Sequence, residues 1–361
     1  MTLVEPSKHN GTAIRIAATS TAVPPYILGR EQVKTYLNRV FSLENSRLEG
    51  MMAVVDNSQI EQRYTIFPLD YTIEPRSLTQ TSREYQEHAV RLGGQVACEC
   101  LRRAGMKPQD IDLFITVSCT GVMIPSLDAH LINEMGFRSD VRRLPITELG
   151  CAGGAAAVAR AWEHIRAFPD HSVLVVAVEL PSLTFQRRDI SQANLISSVL
   201  FGDGAAATVV TGRPASGPEI LDTATYLFPN SLDAMGFDLR DCGFHIVLSK
   251  DVPELIRNQI KELVDGYLRR SHLTRADIPA FVLHPGGQKL LSFIEEELGL
   301  CRCQTQPSWD VLRQYGNLSS ASVLFVLHEW LEKQDVGAGS YGLLAAFGPG
   351  FSAEQILLRW G

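Results

Sequence analysis

Residues 111–121, IDLFITVSCTG, form a near-continuous apolar run, and residues 171–180, HSVLVVAVEL, form another. A strand that is apolar on both faces has to be covered on both faces, so these runs belong in a sheet held between helices. Residues 82–104 carry apolar side chains at three- and four-residue steps and can supply such cover. Further strands are read at 12–22, 205–210, 219–228, 243–249, 279–287, 341–350 and 354–360. Helices are expected at 30–54, 125–135, 251–271, 288–299 and from near Asn317, with a loop over 66–80. Strands alternating with helices describe an α/β fold of several layers. The element order over 1–214 resembles that over 215–361, with no Pro-, Gly- or Ser-rich linker between the two stretches.

A length of 361 residues suits two ordinary domains or one duplicated fold. The net charge of −7 argues against a general binder of nucleic acid or anionic membrane. Residues 1–10 read as a loosely attached tail, without the long apolar core of a signal peptide, and no run of about 18 apolar residues occurs. The expectation is a soluble, cytoplasmic protein without membrane insertion. The seven cysteines are odd in number, and their spacing does not suggest disulfides, which fits a reducing compartment. Cys98-x-Cys100 and Cys301-x-Cys303 are too close for a zinc knuckle, so no metal is expected.

Three residues stand out chemically. Cys151 lies in LGCAGG, where a strand would end and an alanine-rich helix would begin. A thiol there meets the unpaired N–H groups and positive dipole end of the helix, which favours the nucleophilic thiolate. Gly153 and Gly154 would let a substrate approach the backbone. The other reading is an inert, buried small thiol. His284 ends an apolar strand before Pro-Gly-Gly, where α/β folds collect ligand-handling residues; bonding a loop carbonyl is the alternative. Asn317 precedes a helix and is also a plausible N-cap. Together a thiol, an imidazole and an amide can attack a carbonyl and hold the oxyanion that develops. A cysteine protease uses the same residue types, so the types alone leave the reaction open.

The runs GCAGG (150–154), LFGDGAAA (200–207), FVLHPGG (281–287), YGNLSSAS (315–322) and FGPGF (347–351) resemble, in order and spacing, the chalcone synthase-like type III polyketide synthases. The resemblance extends from about Ile14 to Trp360. It implies a thiolase fold, a duplicated five-layer αβαβα arrangement, assembled as a homodimer and using malonyl-CoA and an acyl-CoA starter with no cofactor. Carried over by motif, Cys151 is the acyl-accepting nucleophile, and His284 and Asn317 hold the thioester carbonyl and promote decarboxylation. A depressed thiol pKa follows from the implied thiolate–imidazolium pair. Phe201 matches the gatekeeper between cavity and CoA tunnel. Cys119, Thr184, Phe237, Gly348, Pro349 and Ser319 are carried over to the substrate cavity, with the FGPG loop (347–350) lining its floor or buttressing it, and Asp203 and Gly204 to structural roles. Ile124 and Pro125 fall near the family's dimer interface, with Ile124 directed toward the partner's cavity.

The sequence also departs from plant members. Ala53 and Asn57 occupy places where those enzymes carry basic residues for the CoA phosphates, while Arg63 and Tyr64 are kept. Cys119 replaces a threonine of the starter pocket, and Phe237 a small glycine position. Both changes resemble bacterial members. Small residues near Cys119 and over 181–201 favour a medium- or long-chain fatty acyl starter and an alkylpyrone or alkylresorcinol product. The alternatives are a malonyl-CoA-only tetrahydroxynaphthalene- or phloroglucinol-type synthase, a single-condensation β-ketoacyl synthase, and a non-catalytic scaffold of the same fold.

Overall fold

The computed structural model describes residues 13–41, 43–333 and 336–361; the expected tail at 1–10 lies outside them. In chain order the elements are β1 (Arg15–Ala22), β2 (Tyr26–Gly29), α1 (Arg30–Val40), α2 (Asn45–Asn57), β3 (Gln62–Thr65), α3 (Leu69–Thr72), α4 (Leu78–Ala104), β4 (Leu113–Val117), α5 (Leu127–Met135), β5 (Arg142–Ile146), α6 (Gly153–Ala167) and β6 (Ser172–Glu179). Next come α7 (Gln192–Leu200), β7 (Gly204–Thr211), β8 (Glu219–Leu227), β9 (Met235–Arg240), β10 (Gly243–Leu248), α8 (Val252–Arg269), β11 (Ala280–Leu283), α9 (Gln288–Leu298), α10 (Gln306–Tyr315), α11 (Ser322–Lys333), β12 (Tyr341–Gly348) and β13 (Ser352–Arg359).

Nine strands form one sheet in the order β11-β12-β13-β8-β1-β7-β6-β4-β5. The two halves repeat one pattern. In the first, β4 pairs parallel with β6, which is antiparallel to β7, itself antiparallel to β1. In the second, β11, β12, β13 and β8 repeat those relations in the same sequence. The halves meet where Arg15 pairs with Glu219.

The fully buried strands dictate the layers. Helices α4 and α5 cover one face of the first half, where Ala89, Val96 and Leu131 meet Phe114, Leu174 and Val178. Helices α6 and α11 lie between the halves, and their Val158, Trp162, Val323 and Leu327 share a core with strands of both. Helices α8 and α9 cover the outer face of the second half through Ile256, Ile260, Leu291 and Ile294. The result is the thiolase fold with its five layers.

Some elements differ from expectation. Residues 30–54 are not one helix: the chain turns extended at Phe41, which is buried against Tyr36 and Phe185. Burial of that ring outweighs continued helix, and α1, α2 and α7 close into a separate apolar cluster. The expected loop over 66–80 contains α3 and the start of α4. Strands β2, β3 and β9 and helices α7 and α10 were not foreseen. Cys301 and Cys303 form a disulfide with their Cα atoms 5.3 Å apart, so the expectation that no cysteine pair is spaced for bonding does not hold. Among the described residues no helix is long and apolar enough to cross a membrane.

Candidate active site

Cys151 sits in a tight turn, Gly150–Ala152, that leads into α6. Gly150 has φ +46°, and a Cβ there would lie 2.5 Å from Pro349 Cδ, so only glycine fits. Gly348 and Gly154 serve protein packing. A Cβ on Gly348 would lie 2.4 Å from the Leu149 carbonyl oxygen, and one on Gly154 would lie 2.2 Å from that of Ser320. The expectation that Gly153 and Gly154 make room for substrate is therefore corrected: a Cβ on Gly153 would meet Val117 at 2.6 Å, and that on Gly154 would meet the start of α11. Gly348 likewise buttresses the Cys151 turn instead of lining the cavity.

A cavity of about 820 Å³ opens at Cys151. Cys119, Thr184, Phe201, Phe237, Ser319 and Pro349 all line it. Ile124 is at its rim, 93% exposed. Phe237 meets Phe244 edge-on at 5.5 Å. Phe201 and Asn317 form a short parallel bridge, in which the Asn317 N–H donates to the Leu200 carbonyl (2.8 Å) and the Gly202 N–H to the Asn317 carbonyl (3.0 Å).

His284 and Asn317 are both buried, and neither is among the residues that line this cavity. The Asn317 Oδ1 accepts from the Ser319 N–H (2.8 Å) and the Ser322 hydroxyl (3.3 Å), so the capping role read from the sequence is present. With the oxygen committed, the amide nitrogen is the available group; it lies 3.5 Å from the Gly286 carbonyl, two residues beyond His284. Among the described residues, the buried Nδ1 atom of His284 has no hydrogen-bond partner. Its backbone N–H donates to Ala345 (2.9 Å), which fixes the end of β11 against β12.

Burial works against the expected thiolate–imidazolium pair. Burial pushes the Cys151 thiol up to about 12, against the opposing hydrogen bonds of Ser319 and Asn317. Burial alone pushes His284 down to about 3. Desolvation outweighs the helix terminus, and burial disfavours the charged form of each group.

The sequence reading missed Glu179. Its carboxylate is fully buried and accepts from the Thr120 hydroxyl (2.8 Å), the Cys119 N–H (3.1 Å) and the Ser320 hydroxyl. Burial raises its pKa, and burial together with this carboxylate pushes the Cys119 thiol well above its ordinary value. A lone glutamate ending the apolar run HSVLVVAVEL was the available signal, because a buried carboxyl demands partners. Asp203 is a fully buried structural carboxyl bonded to the backbone N–H groups of Ile66 and Ser182, both at 2.9 Å. Arg63 is buried and donates to the Ser198 carbonyl at 2.9 Å, whereas Ala53 and Asn57 are exposed on α2.

The chain matches the N-terminal domain of chalcone and stilbene synthases over residues 4–214 and their C-terminal domain over 219–360. It belongs to the chalcone and stilbene synthase family, whose members here are type III polyketide synthases: CoA-dependent acyltransferases that perform Claisen condensations. It is similar to the 1,3,6,8-tetrahydroxynaphthalene synthase of Streptomyces peucetius, at 35% identity over 96% of this chain and 93% of that protein. It is also similar to the phloroglucinol synthase of Pseudomonas fluorescens, at 32% identity over 94% of this chain and 99% of the relative. The crystal structure of the Streptomyces coelicolor tetrahydroxynaphthalene synthase superposes with a TM-score of 0.93 at 33% identity, covering 96% of this chain and 99% of that one. This membership disfavours the single-condensation synthase and the inert scaffold.

Proposed function

We propose that this polyketide synthase loads a medium- or long-chain fatty acyl group from CoA onto Cys151, extends it with malonyl-CoA, and cyclises the product to an alkylpyrone or alkylresorcinol. The observation that supports this reading is the large cavity at Cys151, with Leu28, Leu69, Ile73, Val122 and Met123 among its walls. Such walls suit an alkyl chain.

Neutral His284 takes the thiol proton as Cys151 attacks the acyl-CoA carbonyl, and CoA thiol departs. Malonyl-CoA then loses CO2. The enolate left behind accepts hydrogen bonds from His284 and the Asn317 amide, groups already desolvated and held in place. Its carbon attacks the Cys151 thioester and frees the sulfur for another round. No separate base is needed, because decarboxylation makes the nucleophile.

A malonyl-CoA-only synthase is the second reading, favoured by the similarity to tetrahydroxynaphthalene and phloroglucinol synthases. Purified protein given malonyl-CoA alone, then malonyl-CoA with short, medium or long straight-chain acyl-CoA, separates the two by product mass. Products that incorporate only malonyl units under every condition would overturn the fatty acyl reading.

The exposed Ile124, with Val122 and Leu239 also exposed beside the cavity, supports assembly as a homodimer. Sedimentation of the purified chain tests this, and a monomer at micromolar concentration would refute it.

A further inference from the structure

The turn between β9 and β10 assembles a second thiol–imidazole pair, away from Cys151. Cys242 is exposed there, with its sulfur 3.0 Å from Nε2 of His245. His245 is buried, and its Nδ1 lies 3.4 Å from Oδ2 of Asp189. Asp189 is held from the other side by the Ser191 N–H at 2.8 Å. The Nη1 of Arg240 also stands 3.4 Å from Nδ1 as a competing donor, and the Asp189 carboxylate is the group that favours a proton on that nitrogen. A proton on Nδ1, facing the Asp189 carboxylate, leaves the Nε2 lone pair aimed at the thiol. Nucleophile, base and orienting carboxylate thus occur in the order that activates a cysteine.

Two features say what this thiol would meet and what would follow. A hollow of about 360 Å³ opens beside the imidazole, lined by Asp189, Asp233 and Asp238 against the single guanidinium of Arg240. Three carboxylates facing one cation repel anionic reagents and admit neutral or cationic ones. His245 lines the hollow, Phe244 lines the catalytic cavity with Phe237 and Leu239 of β9, and Ile246 borders both. Cys242 lies in the turn that joins these two strands, so a group attached to it sits at the end of the ribbon that walls that cavity.

We propose that Cys242 is a thiol–disulfide exchange site for small neutral or cationic disulfides, and that its occupancy changes the chain length made in the cavity. His245 takes the Cys242 proton, and the thiolate attacks one sulfur of the incoming disulfide. The Cys242–sulfur bond forms as the old S–S bond breaks. The departing thiolate takes the proton back from His245 and leaves as a free thiol. Cys242 is oxidised to a mixed disulfide, and half of the reagent is reduced.

The protein carries its own control, because Cys98 is also exposed and, among the described residues, no hydrogen bond joins it to an imidazole. The protein is treated at neutral pH with hydroxyethyl disulfide, cystamine or glutathione disulfide, and occupancy is followed at each cysteine by peptide mass spectrometry. Cys242 is expected to react roughly tenfold or more faster than Cys98, as base assistance provides. Cystamine should outpace the anionic glutathione disulfide at Cys242. His245→Gln and Asp189→Asn should bring Cys242 down to the Cys98 rate and leave Cys98 unchanged. Equal rates at the two cysteines of the wild type would overturn the assignment without any variant, as would a fast Cys242 in His245→Gln. For the second part, enzyme fully blocked at Cys242 and free at Cys151 is assayed for product mass beside Cys242→Ser protein treated identically. A change in chain length confined to the blocked enzyme supports the coupling, and an unchanged profile refutes it. The labelling arm needs no turnover, so its outcome is independent of which starter the enzyme takes.

Discussion

The hydroxyl of Ser319 lies 3.6 Å from the sulfur of Cys151. The same oxygen is 3.3 Å from the Cys119 sulfur, and Ser319 itself has φ +50°. A non-glycine residue in that region costs about 1–3 kcal/mol and persists where its surroundings hold it. Here the Asn317 side chain holds it, through the Ser319 N–H.

Ser319→Ala removes the strongest influence opposing the burial of Cys151, so the thiol pKa should rise further. A hydrogen bond to a charged group is worth about 1.5–3 kcal/mol, which predicts at least about tenfold slower alkylation of Cys151 by iodoacetamide. Cys151→Ala should abolish product while circular dichroism remains that of the folded protein. Retained synthesis would exclude Cys151 as the nucleophile.

His284→Ala and Asn317→Ala should each slow release of CO2 from malonyl-CoA as well as chain extension. Removing one oxyanion donor costs roughly 10²–10³ in rate. Acetyl-CoA formation from malonyl-CoA measures the step without extension. Wild-type rates in both variants would show that neither group steadies the enolate.

The pH dependence of stability has a defined sign at each residue. The unfolded chain protonates His284 near its ordinary value of 6.5, whereas the native site resists until about 3. The stability gained by keeping this ring neutral is present above 6.5 and is lost as pH falls from there through about 3. The melting temperature of the wild type should therefore drop more steeply over that interval than that of His284→Gln. Cys151 acts at the other end: its stabilising preference for the thiol is present below 9.0 and lost as pH rises through about 12. Cys151→Ala should flatten the alkaline limb, and parallel curves would contradict either assignment.

Phe237→Ala removes a ring from the cavity wall beside Phe244. The expected outcome is a shift toward longer starters or additional two-carbon extensions, read as product mass. An unchanged product series would place the limit on chain length elsewhere.

Much of this arrangement was legible in the chain. The doubly apolar runs at 111–121 and 171–180 become β4 and β6, both buried, and the LGCAGG, FVLHPGG and YGNLSS motifs locate Cys151, His284 and Asn317. Charge states were not legible. A thiol at a helix start reads as activated, but the pKa of Cys151 depends on how completely the other half encloses it, and that is set by residues such as Pro349, 198 positions away. The kink at Phe41 was hidden for a similar reason, because the ring that Phe41 meets belongs to Phe185. Nor could local spacing show that Cys242, His245 and Asp189 converge, since the last comes from the loop before α7.

The β9–β10 hairpin stands apart from the nine-stranded sheet as a two-stranded ribbon, yet it contributes Phe237, Leu239, Phe244 and Ile246 to the reaction chamber. Part of the cavity wall is thereby built on a ribbon that takes no part in the pairings of the main sheet. Substitutions in the ribbon can redraw the mould without loosening the frame, so a lineage of such enzymes is free to explore new molecules one side chain at a time.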